Sequence, residues 1–191
     1  LTLKQNRDLG DKIGGAMRAK RLMSGELILV ERADPRAVAM VLNFERNMVI
    51  AGGRFVASGR FTKNNTEVRF GYIDECLLKL FGKIREDVPA GELAVHTLLN
   101  DHHDPEIMVA LGPQSCRYTK LGQFYQLIEE QGQGQAGPLL VNGRANIAYI
   151  LDENGAAWAV SARWVPSYGD WRVVVSSVAY LSGWSAGFRF L

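Results

Sequence analysis

Arg144-Ala-Asn-Ile-Ala-Tyr-Ile-Leu-Asp-Glu-Asn-Gly155, then Ala156-Ala-Trp-Ala-Val-Ser-Ala-Arg-Trp-Val-Pro-Ser-Tyr-Gly-Asp170, then Trp171-Arg-Val-Val-Val-Ser176, is the stretch that decides the fold. Side chains alternate across a strand, so every second residue shares a face. Ala145, Ile147, Tyr149 and Leu151 fall together. So do Trp158, Val160, Ala162 and Trp164, with Ala159, Ser161 and Arg163 on the other side. Trp171, Val173 and Val175 alternate with Arg172, Val174 and Ser176. Asp152-Glu-Asn-Gly155 and Pro166-Ser-Tyr-Gly-Asp170 are turn compositions, and Asn142-Gly143 accepts the positive φ of a tight hairpin. The pattern predicts antiparallel strands with one apolar and one mixed face, a sheet packed on one side only.

That sheet needs a cover, and the residues just upstream supply one. Leu121, Phe124, Tyr125 and Ile128 recur at helical spacing over Lys120–Gln131, with Thr119 placed to cap the first turn. The polar segment Gly132-Gln-Gly-Gln-Ala-Gly-Pro138 ends the helix.

The C-terminal region carries a resemblance. Leu139-Leu140, Asn142-Gly143, Ala145-Asn146-Ile147, Tyr149-Ile150, Asp152, Asn154-Gly155, Trp158-Ala159-Val160, Trp171, Ser177-Val178 and Gly183-Trp184 together resemble the C-terminal part of an uncharacterised protein family of uncultured bacterial lineages. The resemblance runs back to the helix at Leu121, and nothing before Glu92 contributes to it. Where that family ends in a Gly-x-x-Val-Phe element, this chain has Gly187-Phe-Arg-Phe190. The resemblance implies a soluble bacterial domain and brings no activity with it.

Length and composition set wider bounds. A chain of 191 residues, 47% hydrophobic and 22% charged, has enough apolar content for a proper core. A net charge of +2 is too small to demand a polyanionic partner. Two cysteines, Cys76 and Cys116, make no disulfide framework and read as reduced thiols of a cytoplasmic protein. No run of 18 apolar residues suggests a membrane-spanning helix, and the polar start Leu1-Thr-Leu-Lys-Gln-Asn-Arg7 lacks the apolar stretch of a signal peptide.

Upstream, residues 3–23 read as a basic helix, and Leu27–Val30 as a short strand. Asp34-Pro35 opens a second helix through Ala37–Phe44, and Met48–Ile50 reads as a strand. Phe55–Thr62 and Glu67–Ile73 read as strands around Lys63-Asn-Asn-Thr66, and Asp74 caps a helix over Glu75–Phe81 with Cys76, Leu77 and Leu80 inward. Glu86-Asp-Val-Pro-Ala-Gly91 is the clearest break. It divides residues 1–86, an N-terminal α+β subdomain with a basic first helix, from residues 92–191, a helix plus antiparallel meander, unless one domain runs throughout. Glu92–Leu99 fits strand or helix, and Asp104-Pro105 opens a helix to Leu111, stopped by Gly112-Pro113.

Few residues suggest chemistry. Asp101-His-His-Asp104 holds two of the three histidines between carboxylates, a donor set able to bind a divalent metal and acidify its water. Asp101-His102-His103 also resembles the central motif of a manganese-dependent phosphoesterase family. This chain lacks that family's further Asp-x-Asp motif and its length, and a polar loop leading into a helix cap explains the string more plainly. Cys76 with His96 is a conceivable thiol–imidazole pair, against the ordinary reading of Cys76 as an inert buried thiol. Asp152-Glu-Asn-Gly155 fails as a calcium loop, with Ala157 and Arg163 where glycine and glutamate are needed. Ala51–Gly59 lacks the spacing of a phosphate loop.

Arg163, Arg172 and Arg189 lie among tryptophans, and arginines beside aromatic rings on a sheet suit ligand stacking. Trp158 and Trp164 fit the core by parity, whereas Tyr168 and Trp171 border a turn and read as surface residues. These residues predict an α+β protein of antiparallel hairpins packed against short amphipathic helices. They point to a non-catalytic module binding a protein or small ligand through Tyr168, Trp171, Arg172 and Arg163, without a cofactor. The alternatives are a metal-dependent hydrolase using Asp101, His102, His103 and Asp104, and nucleic-acid binding through Lys12, Arg18, Lys20 and Arg21.

Overall fold

Asn146–Leu151 carries apolar residues on both parities, Ile147 and Tyr149 on one and Ala148 and Ile150 on the other. A strand so composed must be covered on both faces. The computed structural model, which describes residues 41–113, 117–178 and 183–191, makes it the central strand of a seven-stranded sheet. The described residues belong to one unit, Pro35–Leu191. The basic segment with Lys12, Arg18, Lys20 and Arg21, the strand expected at Leu27–Val30, the helix start at Asp34-Pro35, and Cys116 lie outside them.

In chain order the strands of the sheet are β1 (Leu42–Ile50), β3 (Phe70–Ile73), β5 (Gly91–Leu98), β7 (Asn146–Leu151), β8 (Ala157–Val165), β9 (Asp170–Ser177) and β11 (Arg189–Phe190). Two ribbons flank it: β2 (Gly53–Val56) with β4 (Arg85–Val88), and β6 (His102–His103) with β10 (Gly183–Trp184). The helices are α1 (Glu75–Phe81), α2 (Asp104–Ala110) and α3 (Leu121–Glu130). The sheet order is β1-β5-β11-β7-β8-β9-β3. Neighbours are antiparallel except β11 with β7 and β3 with β9, which are parallel. The fold is therefore α+β, with a mixed sheet in which β7, β8 and β9 form an antiparallel meander.

One face of the sheet meets α3, which buries Leu121, Phe124, Tyr125, Leu127 and Ile128 against Val160, Ala162, Trp164, Trp171 and Val173. Leu77 and Phe81 of α1 and Phe55 and Val88 of the β2–β4 ribbon extend the same core. On the other face Ile107 of α2 packs with Leu42, Leu98, Ile147, Tyr149 and Phe190. The expectation of a sheet covered on one side is thus corrected for its centre, where both faces are buried.

Several local expectations change because pairing outweighs local pattern. Leu42–Phe44, read as the end of a helix, belongs to β1 and pairs with Leu98, Thr97 and His96 of β5. The strands around Lys63–Thr66 do not form a hairpin: β2 pairs with β4, and β3 crosses to β9. Asn142-Gly143 is a turn, with Gly143 at φ +90°, but no strand enters it. The Asn146 carboxamide closes it instead, accepting the Leu140 N–H at 2.7 Å and donating to the Leu140 carbonyl at 3.0 Å. Within Glu86–Gly91, Glu86–Val88 lie in β4 and Gly91 in β5, and Pro89-Ala90 make the turn between them.

The helix ends show where the polar atoms go. Asp74 caps α1 as expected, accepting the Cys76 N–H at 2.8 Å, and its second oxygen accepts Val175 N–H at 3.2 Å, tying the helix to β9. Thr119 does not cap α3. Its hydroxyl donates to the Leu191 carbonyl at 3.1 Å. The first turn of α3 is served instead by Gln123, which takes the Lys120 N–H at 2.9 Å, and by Glu86, which takes the Gly122 N–H at 2.8 Å. No helix among the described residues is long and apolar enough to cross a membrane.

Candidate functional site

The cover over the second face stops short. Beyond β7 the residues of that parity turn from Ala159 to Ser161 and Arg163 on β8, and to Arg172, Val174 and Ser176 on β9. Polar side chains there favour water, and the described residues leave that part of the face open. These five residues floor a groove of about 450 Å³. Tyr72, on β3 beyond β9, forms one wall. Ala145, Trp184 and Phe188, from the segments leading into β7 and β11 and from β10, form the other.

Arg163 and Arg172 are direct cross-strand partners in the β8–β9 ladder. The Arg172 guanidinium lies 4.6 Å from the centre of the Tyr168 ring, and its Nε is 3.3 Å from Asp170 Oδ1. Gly71 makes room for that carboxylate, since a Cβ there would collide with it. Arg163 is exposed and has no ion-pair partner among the described residues. Tyr168, 63% exposed, stands at the rim as the partner of Arg172.

Trp171 is the residue to correct. It is fully buried, on the α3 face of the sheet, edge-on to Trp164 at 5.7 Å. Its indole N–H donates to the Gln131 carbonyl at 2.8 Å. Gln131 follows the last turn of α3, where a carbonyl lacks a helical partner, so the indole closes the helix end. Trp171 therefore cannot contact a ligand, and of the four expected binding residues Arg163, Arg172 and Tyr168 are the ones brought together. Arg189 lies elsewhere, donating to the Pro138 carbonyl. Trp164 is buried and Trp158 half-buried in the first core.

The Asp101–Asp104 string does not converge on a metal. Asp101 accepts the Ala186 N–H at 2.8 Å, and His102 Nδ1 lies 3.0 Å from Glu106. His103 opens α2 and is exposed, so Asp104 is not the helix cap it was expected to be. Asp104 turns inward and is completely buried. One of its oxygens accepts the Tyr149 hydroxyl at 2.7 Å and the Trp184 indole N–H at 2.6 Å. Burial pushes its carboxyl above the ordinary range, against the downward pull of those two hydrogen bonds. The same burial, with Asp104 alongside, holds the Tyr149 phenol up. Among the described residues no three His, Cys, Asp or Glu side chains are grouped to hold a metal ion. Adjacent residues on an extended backbone point apart, which is why four donors in a row scatter.

Cys76 and His96 are also separated. Cys76 is exposed on α1, which packs by β9, while His96 is on β5, with β11, β7 and β8 between. Asp152 organises its own turn, accepting the Asn154 and Ala156 N–H groups at 2.9 Å each and the Trp158 indole at 3.1 Å.

Sequence reasoning missed Tyr72 and Phe188, and counted Trp184 among the aromatics near the arginines without choosing it as a binding residue. Tyr72 reaches the groove only because β3 joins β9 in parallel from far away in the chain. Trp184 is set by Asp104, which the sequence offered as a cap. Ser161, Val174 and Ser176 were legible in the mixed parity of their strands. No family model matches the chain, and no curated protein or solved structure matches it either.

Proposed function

We propose that this protein is a non-catalytic binding module and that the groove over β8, β9 and β3 is its ligand site. The observation that carries the reading is the groove that the described residues leave open over β8 and β9, beside a sheet centre buried on both faces. It forms a concavity of about 450 Å³, within the roughly 300–1,000 Å³ of small-molecule sites. Its lining combines guanidinium, hydroxyl and aromatic groups, which hold and orient a ligand. The floor belongs to the antiparallel meander, whose hydrogen-bonded ladder keeps Arg163 and Arg172 in fixed register. The exposed, unpaired thiol of Cys76 fits residence in a reducing cytoplasm, and the resemblance of residues 121–191 to a bacterial family belongs to the same reading.

The test is native mass spectrometry after incubation with a cellular metabolite extract. The protein is expected to carry a small-molecule adduct that Val174→Trp, which fills the groove from an exposed position, removes. An adduct retained equally by the variant would show that the ligand sits elsewhere.

A further inference from the structure

The charge of the groove and the character of its walls together select a ligand class, given that the groove is a binding site. Two guanidiniums directly opposite on neighbouring strands repel one another. Arg172 is relieved by Asp170 and by the Tyr168 ring. Arg163 has no such relief from the described residues. None of the described residues lining the groove is a carboxylate. Asp170 offsets one of the two guanidiniums, so about one positive charge is left for a ligand, and it sits at Arg163. Away from Arg163 the surface becomes apolar: Val174 on the floor, Tyr72 on one wall, Trp184 and Phe188 on the other.

We infer that the groove takes a small amphipathic monocarboxylate. The carboxylate lies on the planar fork of Arg163, whose paired N–H groups match its two oxygens. Arg172 stands beside it, and the hydrocarbon body crosses Val174 between Tyr72 and Trp184. A single negative charge completes the neutralisation that Asp170 begins. A phosphate monoester, carrying about −1.5 to −2 at neutral pH, overshoots it. An amine meets the guanidiniums with like charge. An alcohol leaves Arg163 without a counter-charge.

Isothermal titration of the full chain with decanoate, decyl phosphate, decanol and decylamine tests the assignment. Decanoate is expected to bind most tightly, with decanol about tenfold weaker or more and decylamine weakest. Arg163→Gln, a change at an exposed position, should weaken decanoate roughly tenfold to a hundredfold and leave decanol unchanged, with an unaltered circular dichroism spectrum. Decanol or decyl phosphate binding as tightly as decanoate would overturn the carboxylate assignment, as would decanoate binding untouched by Arg163→Gln. In either case loss of binding in Val174→Trp would leave the groove standing as the site. Failure of all four probes also overturns the assignment, and the metabolite adduct then decides separately whether the groove binds anything.

Discussion

Replacing Trp171 tests the central packing claim, because this side chain does two jobs at once. Its indole fills the space between α3 and the sheet with none of its surface exposed, and its N–H satisfies the Gln131 carbonyl at 2.8 Å. Trp171→Ala empties that volume, a change that costs about 3–5 kcal/mol. It also strands a carbonyl at a buried helix end, for about 1–3 kcal/mol more. The sum of about 4–8 kcal/mol is comparable with the whole stability of an ordinary domain, about 5–15 kcal/mol. Trp171→Phe separates the two jobs. It keeps most of the apolar volume and loses the donor, so about 2–4 kcal/mol should go. Urea unfolding followed by far-UV circular dichroism measures both. With a slope near 2 kcal/mol per molar urea, the Phe variant's midpoint should fall by about 1–2 M and the Ala variant's by about 2–4 M. A Trp171→Ala protein that lost under about 1.5 kcal/mol at unchanged slope would mean that the indole does not close the end of α3.

Three further outcomes follow from named contacts. Burial raises the Asp104 carboxyl above its unfolded value, so its contribution is fully present below the ordinary carboxylate range and is lost as pH rises through the folded value. Relative to Asp104→Asn, the wild type should lose stability over that window at no more than about 1.4 kcal/mol per pH unit; a difference that stays flat between about pH 4 and 8 would refute the raised carboxyl. Gly122→Ala places a Cβ against Val88 and Phe55. Overpacking of about 1–3 kcal/mol should exceed the gain of about 1 kcal/mol in helix propensity, and a melting temperature that rises would contradict the close approach of α3 to the ribbon. Asp74→Ala strips partners from the Cys76 and Val175 N–H groups; a loss of about 1–2 kcal/mol in urea unfolding is expected, and a neutral effect would show that water replaces both bonds.

What was legible in the sequence is what neighbours in the chain determine. Asp74 with the apolar spacing after it defines α1, and Leu121, Phe124, Tyr125 and Ile128 define the buried stripe of α3. The meander followed from alternation and two turn compositions. The arrangement of partners did not follow. β11 is two residues long yet lies between β5 and β7 at the middle of the sheet. Its place is fixed by Phe190 joining the second core, a contact made far from Phe190 in sequence. β1 contains the strand expected at Met48–Ile50 but reaches back to Leu42 by pairing with β5, where the local run Leu42–Phe44 fitted a helix. The two-sided burial of the sheet was recoverable. Asn146–Leu151 is apolar on both parities, and a continuous apolar run signals a strand covered twice.

The site divides along the same line, and Trp171 shows which local signal to trust. Two signals bore on it: nearness to the turn at Pro166–Asp170, which favours exposure, and parity with Val173 and Val175, which favours burial. Parity is enforced by the ladder, since Trp171 stands opposite Trp164 and Val173 opposite Ala162. To expose Trp171 by a one-residue slip, β9 would have to turn Val173 and Val175 to solvent and Arg172 into the core. Nearness to a turn carries no such penalty, so it yields. The same parity that buries Trp171 places Arg172 and Val174 in the groove and aligns Arg172 with Arg163. The buried tryptophan and the paired arginines are therefore one constraint seen from the two faces of a strand, and a register slip in β9 would destroy the core and the groove together.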